Sequence, residues 1–513
     1  MQTIELKGIE PRDYQKNIAD TASRKNTLVV LPTGIGKTLI AILVALERLK
    51  KFPESKILIM APTRPLNAQH KKSFEQQTNL EAEKIILVTG KIQPNERTKL
   101  YEQAVVVVAT PQTIKNDVVA GRLHLRNFSF VVFDEAHRSV KDYAYTLVAK
   151  KYQEQAEHPL ILGLTASPGG SLEKITEIKN SLFIEAVEVR SEQDEDVQKY
   201  VQEIQKDFLY VDFPEEFQMI RGMLQEILKD SIYWLKEHNI IQTYTPTKKN
   251  LLAMQIRMAT SWTSNRKNYG SLMAMLRLAE AIKLEHAIEL LETQGMSSIH
   301  AYLHKLGSSK KNTDRKLMSD PRMLDVYKRV QDMDAQGVDH PKSDKLKNLI
   351  KDLVKENPAM KIIVFANYRS TVDKIRKILE AEKISAEEFI GQTMKGGKGM
   401  TQDMQIATLN RFRAGDFKVL VSTSIGEEGL DVPAVDYAIF YEPVPSEIRA
   451  IQRRGRVGRQ TSGKIIFLIT KNTRDEAYFF AAINKETRMK GILQRMKKKL
   501  EKKNNLKDFV ERE

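Results

Sequence analysis

The sequence predicts an α/β protein: two parallel-sheet units, each wound on both faces by helices, with an all-helical domain inserted between them. Three observations lead there. Short apolar, β-rich blocks alternate with helix-periodic stretches over residues 1–190 and again over 336–485, the pattern of parallel strands buried on both faces and joined by crossover helices. Residues 191–335 keep apolar positions at helical spacing and hold few such blocks. The chain has 513 residues, well beyond the roughly 150 of one ordinary domain.

In the first unit the strand candidates are Thr27–Leu31, Ile57–Met60, Ile85–Thr89, Val105–Ala109, Phe130–Phe133 and Leu160–Leu164. Between the first two, Leu39, Ile40, Leu43, Val44 and Leu46 form a helical stripe. In the second unit Lys361–Ala366, Lys418–Ser422, Tyr437–Tyr441 and Lys464–Ile469 read as strands. The helical domain enters through an acidic stretch, Glu185–Glu216, with eleven acidic and three basic residues. Phe217, Ile220, Leu224, Ile227, Leu228 and Leu235 then recur at helical spacing. Residues 238–279 hold no acid but six bases, among them Lys248, Lys249, Arg266 and Lys267. Such segregation can turn a positive face towards a polyanion. Residues 486–513 read as a basic tail.

Composition excludes several classes. With no cysteine there is no disulfide, thiolate zinc site or thiol nucleophile. No apolar run approaches the ~18 residues of a membrane span, and Met1–Lys7 carries no apolar signal core. A cytoplasmic or otherwise intracellular protein is expected, nucleoid-associated in a prokaryote, with no membrane partner. Lys+Arg exceed Asp+Glu by 16 (82 against 66), which favours a polyanionic partner.

Chemistry concentrates in three places. Leu31-Pro32-Thr33-Gly34-Ile35-Gly36-Lys37-Thr38 lies between a strand and a helix, where glycines let backbone N–H groups approach phosphate at a helix N-terminus. Lys37 would reach the β- and γ-phosphates and Thr38 would hold Mg²⁺. Leu31 stands where the usual loop has Gly or Ala. Asp134-Glu135-Ala136-His137 follows a buried strand, at the edge where open α/β sheets bind ligands. There Asp134 can hold Mg²⁺ and Glu135 can deprotonate an attacking water. Gln452 to Arg459 supplies four arginines, at 453, 454, 456 and 459, whose guanidinium groups suit charge developing on a transferring phosphoryl group.

In this order the elements resemble a superfamily 2 helicase or translocase, with two RecA-like domains closing on ATP and Mg²⁺. The resemblance covers about residues 8–485 and implies a role for each matching position. Arg12 and Gln15 would read adenine. Leu31 to Thr38 would hold the phosphates, and Asp431 would touch the ribose. Asp134, Glu135 and His137 form the acidic motif; Gln452 senses the γ-phosphate, and Arg456 and Arg459 are arginine fingers. Arg64 and Thr110 lie in the strand-contacting motifs.

A narrower likeness is to archaeal Hef and the Fanconi anaemia M translocase, carried by Gly426-Glu427-Glu428-Gly429-Leu430-Asp431-Val432-Pro433, Tyr441-Glu442-Pro443-Val444-Pro445-Ser446 and His340-Pro341-Lys342. It implies 3′-to-5′ movement on DNA and remodelling of forked or branched structures in replication-fork repair or recombination. Hef proteins usually continue into a nuclease; nothing in the tail reads as a nuclease core, and metal-dependent cutting is not expected. Dicer and the cytosolic RNA-sensing helicases share the architecture, so duplex RNA is the less favoured partner within the same class. A non-enzymatic ATP-gated clamp is the alternative outside it, opposed by intact Lys37, Glu135, Arg456 and Arg459.

Overall fold

A computed structural model of the chain describes residues 4–200, 205–263, 269–391, 399–423, 433, 435–443 and 463–510, without the side chains of 261–263, 269 and 496–510. Strands β1 (Thr27–Val30), β2 (Lys56–Met60), β3 (Ile85–Val88), β4 (Val106–Ala109), β5 (Phe128–Asp134), β6 (Ile161–Thr165) and β7 (Ala186–Val189) form one sheet in the order β3-β4-β2-β5-β6-β1-β7. All of its pairings are parallel. Helices α1 (Asp13–Arg24), α2 (Lys37–Lys51), α3 (Arg64–Gln77), α4 (Pro94–Gln103), α5 (Pro111–Val119), α6 (Ala144–Gln155) and α7 (Leu172–Ser181) wind it. Neighbouring strand residues serve opposite cores. Leu28, Val30, Leu58 and Val131 pack on one side, while Val29, Ile57, Ile59 and Val132 pack on the other with Tyr14 and Ile40. Two buried faces explain why the blocks are apolar throughout rather than alternating.

A short α8 (Glu195–Gln198) leads to β8 (Gln205–Val211). This strand lies inside the span expected to be all helical, yet it pairs with β13 (Lys464–Thr470) at the edge of the second sheet. An exposed edge, it opens on the polar Gln205-Lys206-Asp207 and has only the short run Phe208-Leu209-Tyr210-Val211 inside the acidic stretch, which masks it among helix-like residues. The helical unit begins instead at α9 (Glu215–Glu237) and continues through α10 (Lys248–Thr263), α11 (Tyr269–Thr293), α12 (Met296–Gly307), α13 (Asn312–Met318) and α14 (Pro321–Ala335). Phe217, Leu224, Leu278, Leu284, Ile299 and Val326 share its core.

The second sheet runs β10-β11-β9-β12-β13-β8, with β9 (Ile362–Phe365), β10 (Ala386–Phe389), β11 (Val419–Ser422) and β12 (Tyr437–Phe440), wound by α15 (Pro341–Glu356), α16 (Arg369–Ala381) and α17 (Gln402–Ala414). Buried polar groups pin the helical unit to it. Gln294 bonds Glu442 and Thr371, and Arg474 pairs with Glu285 at 2.7 Å and Glu292 at 3.4 Å. The last helix, α18 (Arg474–Val510), is continuous across residue 486, where a separate tail was expected. Its Met489 and Leu493 are buried in the first unit's core, so α18 leaves the second sheet and returns to the first.

Candidate nucleotide and strand site

The strand order brings the carboxyl ends of β5, β6 and β1 together. The loop after β1 is tied to β6 by Leu31 N–H donating to Thr165 O at 3.0 Å. Gly34 and Gly36 have φ of +84° and +85°, left-handed conformations that glycine adopts without strain. They turn the chain into the N-terminus of α2, where Lys37 and Thr38 are the first two residues. Lys37 Nζ donates back to Leu31 O at 3.1 Å and Pro32 O at 3.2 Å.

Beneath the loop lies α1. Gln15 Oε1 accepts the Arg12 N–H at 2.9 Å, and its Nε2 donates to Ile35 O at 3.3 Å and Gly36 O at 3.4 Å. Gln15 is buried, so its amide braces the phosphate loop. Tyr14 OH donates to Ile35 O at 2.5 Å and accepts from Arg12 Nη1 at 3.2 Å. Burial pushes the Tyr14 phenol up, against the lowering influence of Arg12, which keeps it a donor. The Arg12 guanidinium also lies 4.3 Å from the centre of the Tyr200 ring.

Asp134 ends β5. Its Oδ1 accepts the Glu135 N–H at 2.9 Å and its Oδ2 meets His70 Nε2 at 2.8 Å. Burial works to raise the Asp134 carboxyl, but the His70 bond and the Lys37 charge outweigh it, holding the group below its ordinary value. Glu135 takes a left-handed φ of 52°, a strained conformation for a non-glycine residue that a site tolerates where side-chain direction matters. Its Oε2 lies 3.2 Å from His137 Nδ1, which also reaches Thr165 Oγ1 at 3.2 Å. His137 thus joins the ends of β5 and β6.

These residues suit a nucleoside triphosphate with Mg²⁺. The left-handed glycine loop opens onto a helix N-terminus, and Gly34 leaves space on its Cβ side, with no atom within 4 Å. The Thr38 hydroxyl and the Asp134 carboxylate are the hard oxygen donors Mg²⁺ takes alongside phosphate oxygens.

The residues expected to contact a nucleic-acid strand, Arg64 and Thr110, follow strands β2 and β4. Thr63 caps α3, and Arg64 is its first residue, half-buried. Thr110 caps α5 but turns inward, 9% exposed, its hydroxyl 2.8 Å from Thr113 Oγ1. In the helical unit Lys249 and Arg257 are exposed. Lys248 is not available in the same way, because its ammonium bonds Glu289 and lies 3.2 Å from His286. Asp431, Gln452, Arg456, Arg459, Arg266 and Lys267 lie outside the described residues. The sequence reading missed His70, Tyr14, Tyr145 and Tyr200. His70 left a trace as a polar residue with Asn67 on the buried stripe of α3, and Tyr14 lies within the motif from Arg12 to Gln15.

A phosphate loop and an acidic pair on one parallel sheet, with a second parallel sheet following, define the class: a two-domain, ATP-hydrolysing helicase motor. Comparison with known families agrees. Residues 12–175 match the DEAD/DEAH box helicase model, 342–461 the helicase conserved C-terminal domain, and 216–337 the helical bundle of ATP-dependent RNA helicases. The crystal structure of the Pyrococcus furiosus Hef helicase domain is 45% identical, with a TM-score of 0.71 over 92% of this chain and 98% of that one. This chain belongs to the superfamily 2 helicases of the Hef and Fanconi anaemia M family.

Among curated relatives, a Methanocaldococcus jannaschii protein carrying the name of an ATP-dependent RNA helicase is 43% identical over 96% of this chain and 62% of its own length. The ATP-dependent DNA helicase fml1 of Schizosaccharomyces pombe is 33% identical over 90% and 57%. The DEAD-box ATP-dependent RNA helicase FANCM of Arabidopsis thaliana is 33% identical over 91% and 35%. The chain therefore spans between about a third and somewhat under two thirds of these relatives. Among the described residues no helix is long and apolar enough to cross a membrane.

Proposed function

We propose that this chain is an ATP-driven motor on DNA that moves 3′-to-5′ and remodels forked or branched structures in replication-fork repair or recombination. The observation that carries the reading is one sheet edge holding both the nucleotide loop, after β1, and the starts of the helices after β2 and β4, to which the strand contacts are assigned. The DNA helicase name of the fission yeast relative and the 45% identity to the Hef helicase domain support DNA.

Lys37 leaves the Leu31 and Pro32 carbonyls to meet the phosphates. Thr38 and Asp134 would hold Mg²⁺, which when bound would offset phosphate charge. Glu135, held near His137, takes the proton of the attacking water. Arg456 and Arg459 of the second unit meet the charge that develops, sensed through Gln452. Arg12 places the base, with Gln15 bracing the loop behind it, and Asp431 the ribose. Alternate closure and opening of the two units moves a strand held at Arg64 and beside Thr110. The exposed Lys249 and Arg257 face of the helical unit holds duplex arms of the fork. A second reading, a motor on duplex RNA, rests on the helical-bundle match and the RNA helicase names.

The test is ATPase turnover with forked DNA, single-stranded DNA and duplex RNA at one salt concentration. DNA, and forks above all, should stimulate. Stimulation by duplex RNA alone would favour the second reading.

A further inference from the structure

Helix α3 begins at the proposed strand contact and ends its first two turns at the metal-binding carboxylate. His70 is 3% exposed, and its Nε2 lies 2.8 Å from Asp134 Oδ2. As the donor to a carboxylate this nitrogen carries the ring proton. The other ring nitrogen, Nδ1, is buried with no hydrogen-bond partner among the described residues. A histidine that satisfies one nitrogen and leaves the other bare in the interior is costly for packing alone. An apolar residue would fill the space without that cost.

The rest of the helix start is equally constrained. Asn67, fully buried, accepts the Ala61 N–H at 3.1 Å and donates to Ala61 O at 2.7 Å and Thr63 O at 2.8 Å. The loop from β2 to Arg64 therefore cannot move without α3. On the opposite side the Tyr145 hydroxyl, also fully buried, lies 2.9 Å from Met60 O and 2.7 Å from Asp134 O. It spans the ends of β2 and β5. Asn67, His70 and Tyr145 thus join the segment carrying Arg64 to both the backbone and the side chain of Asp134.

We propose that His70 is a positioning residue for Asp134, and that α3 is the link by which a strand held at Arg64 sets the orientation of that carboxylate. The inference rests on the proposed DNA motor and adds a route for stimulation by DNA. With α3 seated by a bound strand, the His70 donor fixes one Asp134 oxygen while the Glu135 N–H fixes the other.

The experiment measures steady-state ATPase with and without single-stranded DNA, and the Mg²⁺ dependence of binding a fluorescent ATP analogue, each across a Mg²⁺ titration, for wild type, His70→Ala, His70→Gln, Tyr145→Phe, Arg64→Ala and the Arg64→Ala/His70→Ala pair. Partners that orient a metal ligand typically cost about 10- to 100-fold in activity or metal affinity when removed. His70→Ala should lower the DNA-stimulated kcat within that range while leaving the KM for ATP within about threefold, and should raise the Mg²⁺ needed for half activation. The stimulated-to-basal ratio should fall as well. His70→Gln, which keeps an N–H donor, should recover both. Tyr145→Phe keeps the ring's edge contact with Phe133 and should lower the same ratio, so the link stays testable if a His70 variant folds poorly. The Arg64 and His70 losses in the ratio should not add, as expected for groups acting along one path.

Equal proportional loss of basal and stimulated rates in His70→Ala, or additive losses in the pair, would overturn the link. An unchanged kcat, or no rescue by Gln in a folded protein, would overturn the positioning role. A wild type that DNA does not stimulate would instead refute the motor reading beneath it.

Discussion

Replacing Gly36 by alanine separates backbone strain from a specific contact in the phosphate loop. Gly36 sits at φ +85°, where an L-residue costs about 1–2 kcal/mol. The added Cβ would fall 2.4 Å from Gln15 Nε2. An exposed amide would swing aside at little cost, but Gln15 is 2% exposed and its Nε2 donates to the Ile35 and Gly36 carbonyls. Giving up those long bonds adds about 1 kcal/mol. The sum is about 2–3 kcal/mol against the loop shape that grips phosphate, or about 30- to 140-fold in ATP affinity. Gly34→Ala is the control: φ is +84° with no atom within 4 Å of the new Cβ. Within the protein it carries strain alone, about 5- to 30-fold, with any contact of the methyl with phosphate added to that. Titration of a fluorescent ATP analogue at fixed Mg²⁺, on variants whose melting confirms folding, reads both. In a Gln15→Ala background the Gly36→Ala penalty should shrink to the Gly34→Ala value. Equal penalties at the two glycines with Gln15 present, or no relief without it, would refute the bracing role of Gln15.

Glu135→Gln should keep Mg·ATP binding and lose about 10²- to 10⁴-fold in turnover, by single-turnover hydrolysis; near-normal turnover would move the base elsewhere. Lys249→Glu with Arg257→Glu should weaken forked DNA more than plain single strand at one salt concentration, by fluorescence anisotropy, whereas equal losses would mean general electrostatics. Lys248 is left out of that pair because its charge is already met by Glu289. The buried Glu442 carboxyl is pushed up to about 7, burial outweighing Lys342 and the bonds from Asn367 and Gln294. Between its ordinary value and about 7 the folded state binds the extra proton, so stability falls as pH rises through that window. Melting of wild type against Glu442→Gln from pH 5 to 8 should show wild type losing ground as pH rises, and parallel curves would contradict this.

Central strands were legible in the sequence, and of the four edge strands only the apolar β3 was. Phe128–Asp134 is buried along its whole length, and five of its seven residues are apolar, which makes such a strand stand out. Gln205–Val211 and Ala386–Phe389 are edges; one alternates exposed and half-buried residues and the other carries Glu387 and Glu388, so neither stands out from a helix or loop. The nucleotide loop and the acidic pair were readable because backbone geometry demands glycines and chemistry demands adjacent acids within a few residues. His70 and Asp134 are 64 positions apart, and the strand order that joins them is not written in either local segment. The basic stretch showed the same limit. Lys248 reads as part of a positive face until Glu289, 41 residues later, is placed beside it.

Strand displacement on forked DNA tests the motor most directly. Duplexes with a single 3′ tail or a single 5′ tail would be followed with hydrolysable ATP, for wild type and Glu135→Gln. The expected result is ATP-dependent displacement by wild type on the 3′-tailed fork, little on the 5′-tailed one, and binding without displacement by Glu135→Gln. Displacement that persists in Glu135→Gln, or that occurs only on the 5′-tailed fork, would contradict a 3′-to-5′ motor driven by hydrolysis at this site.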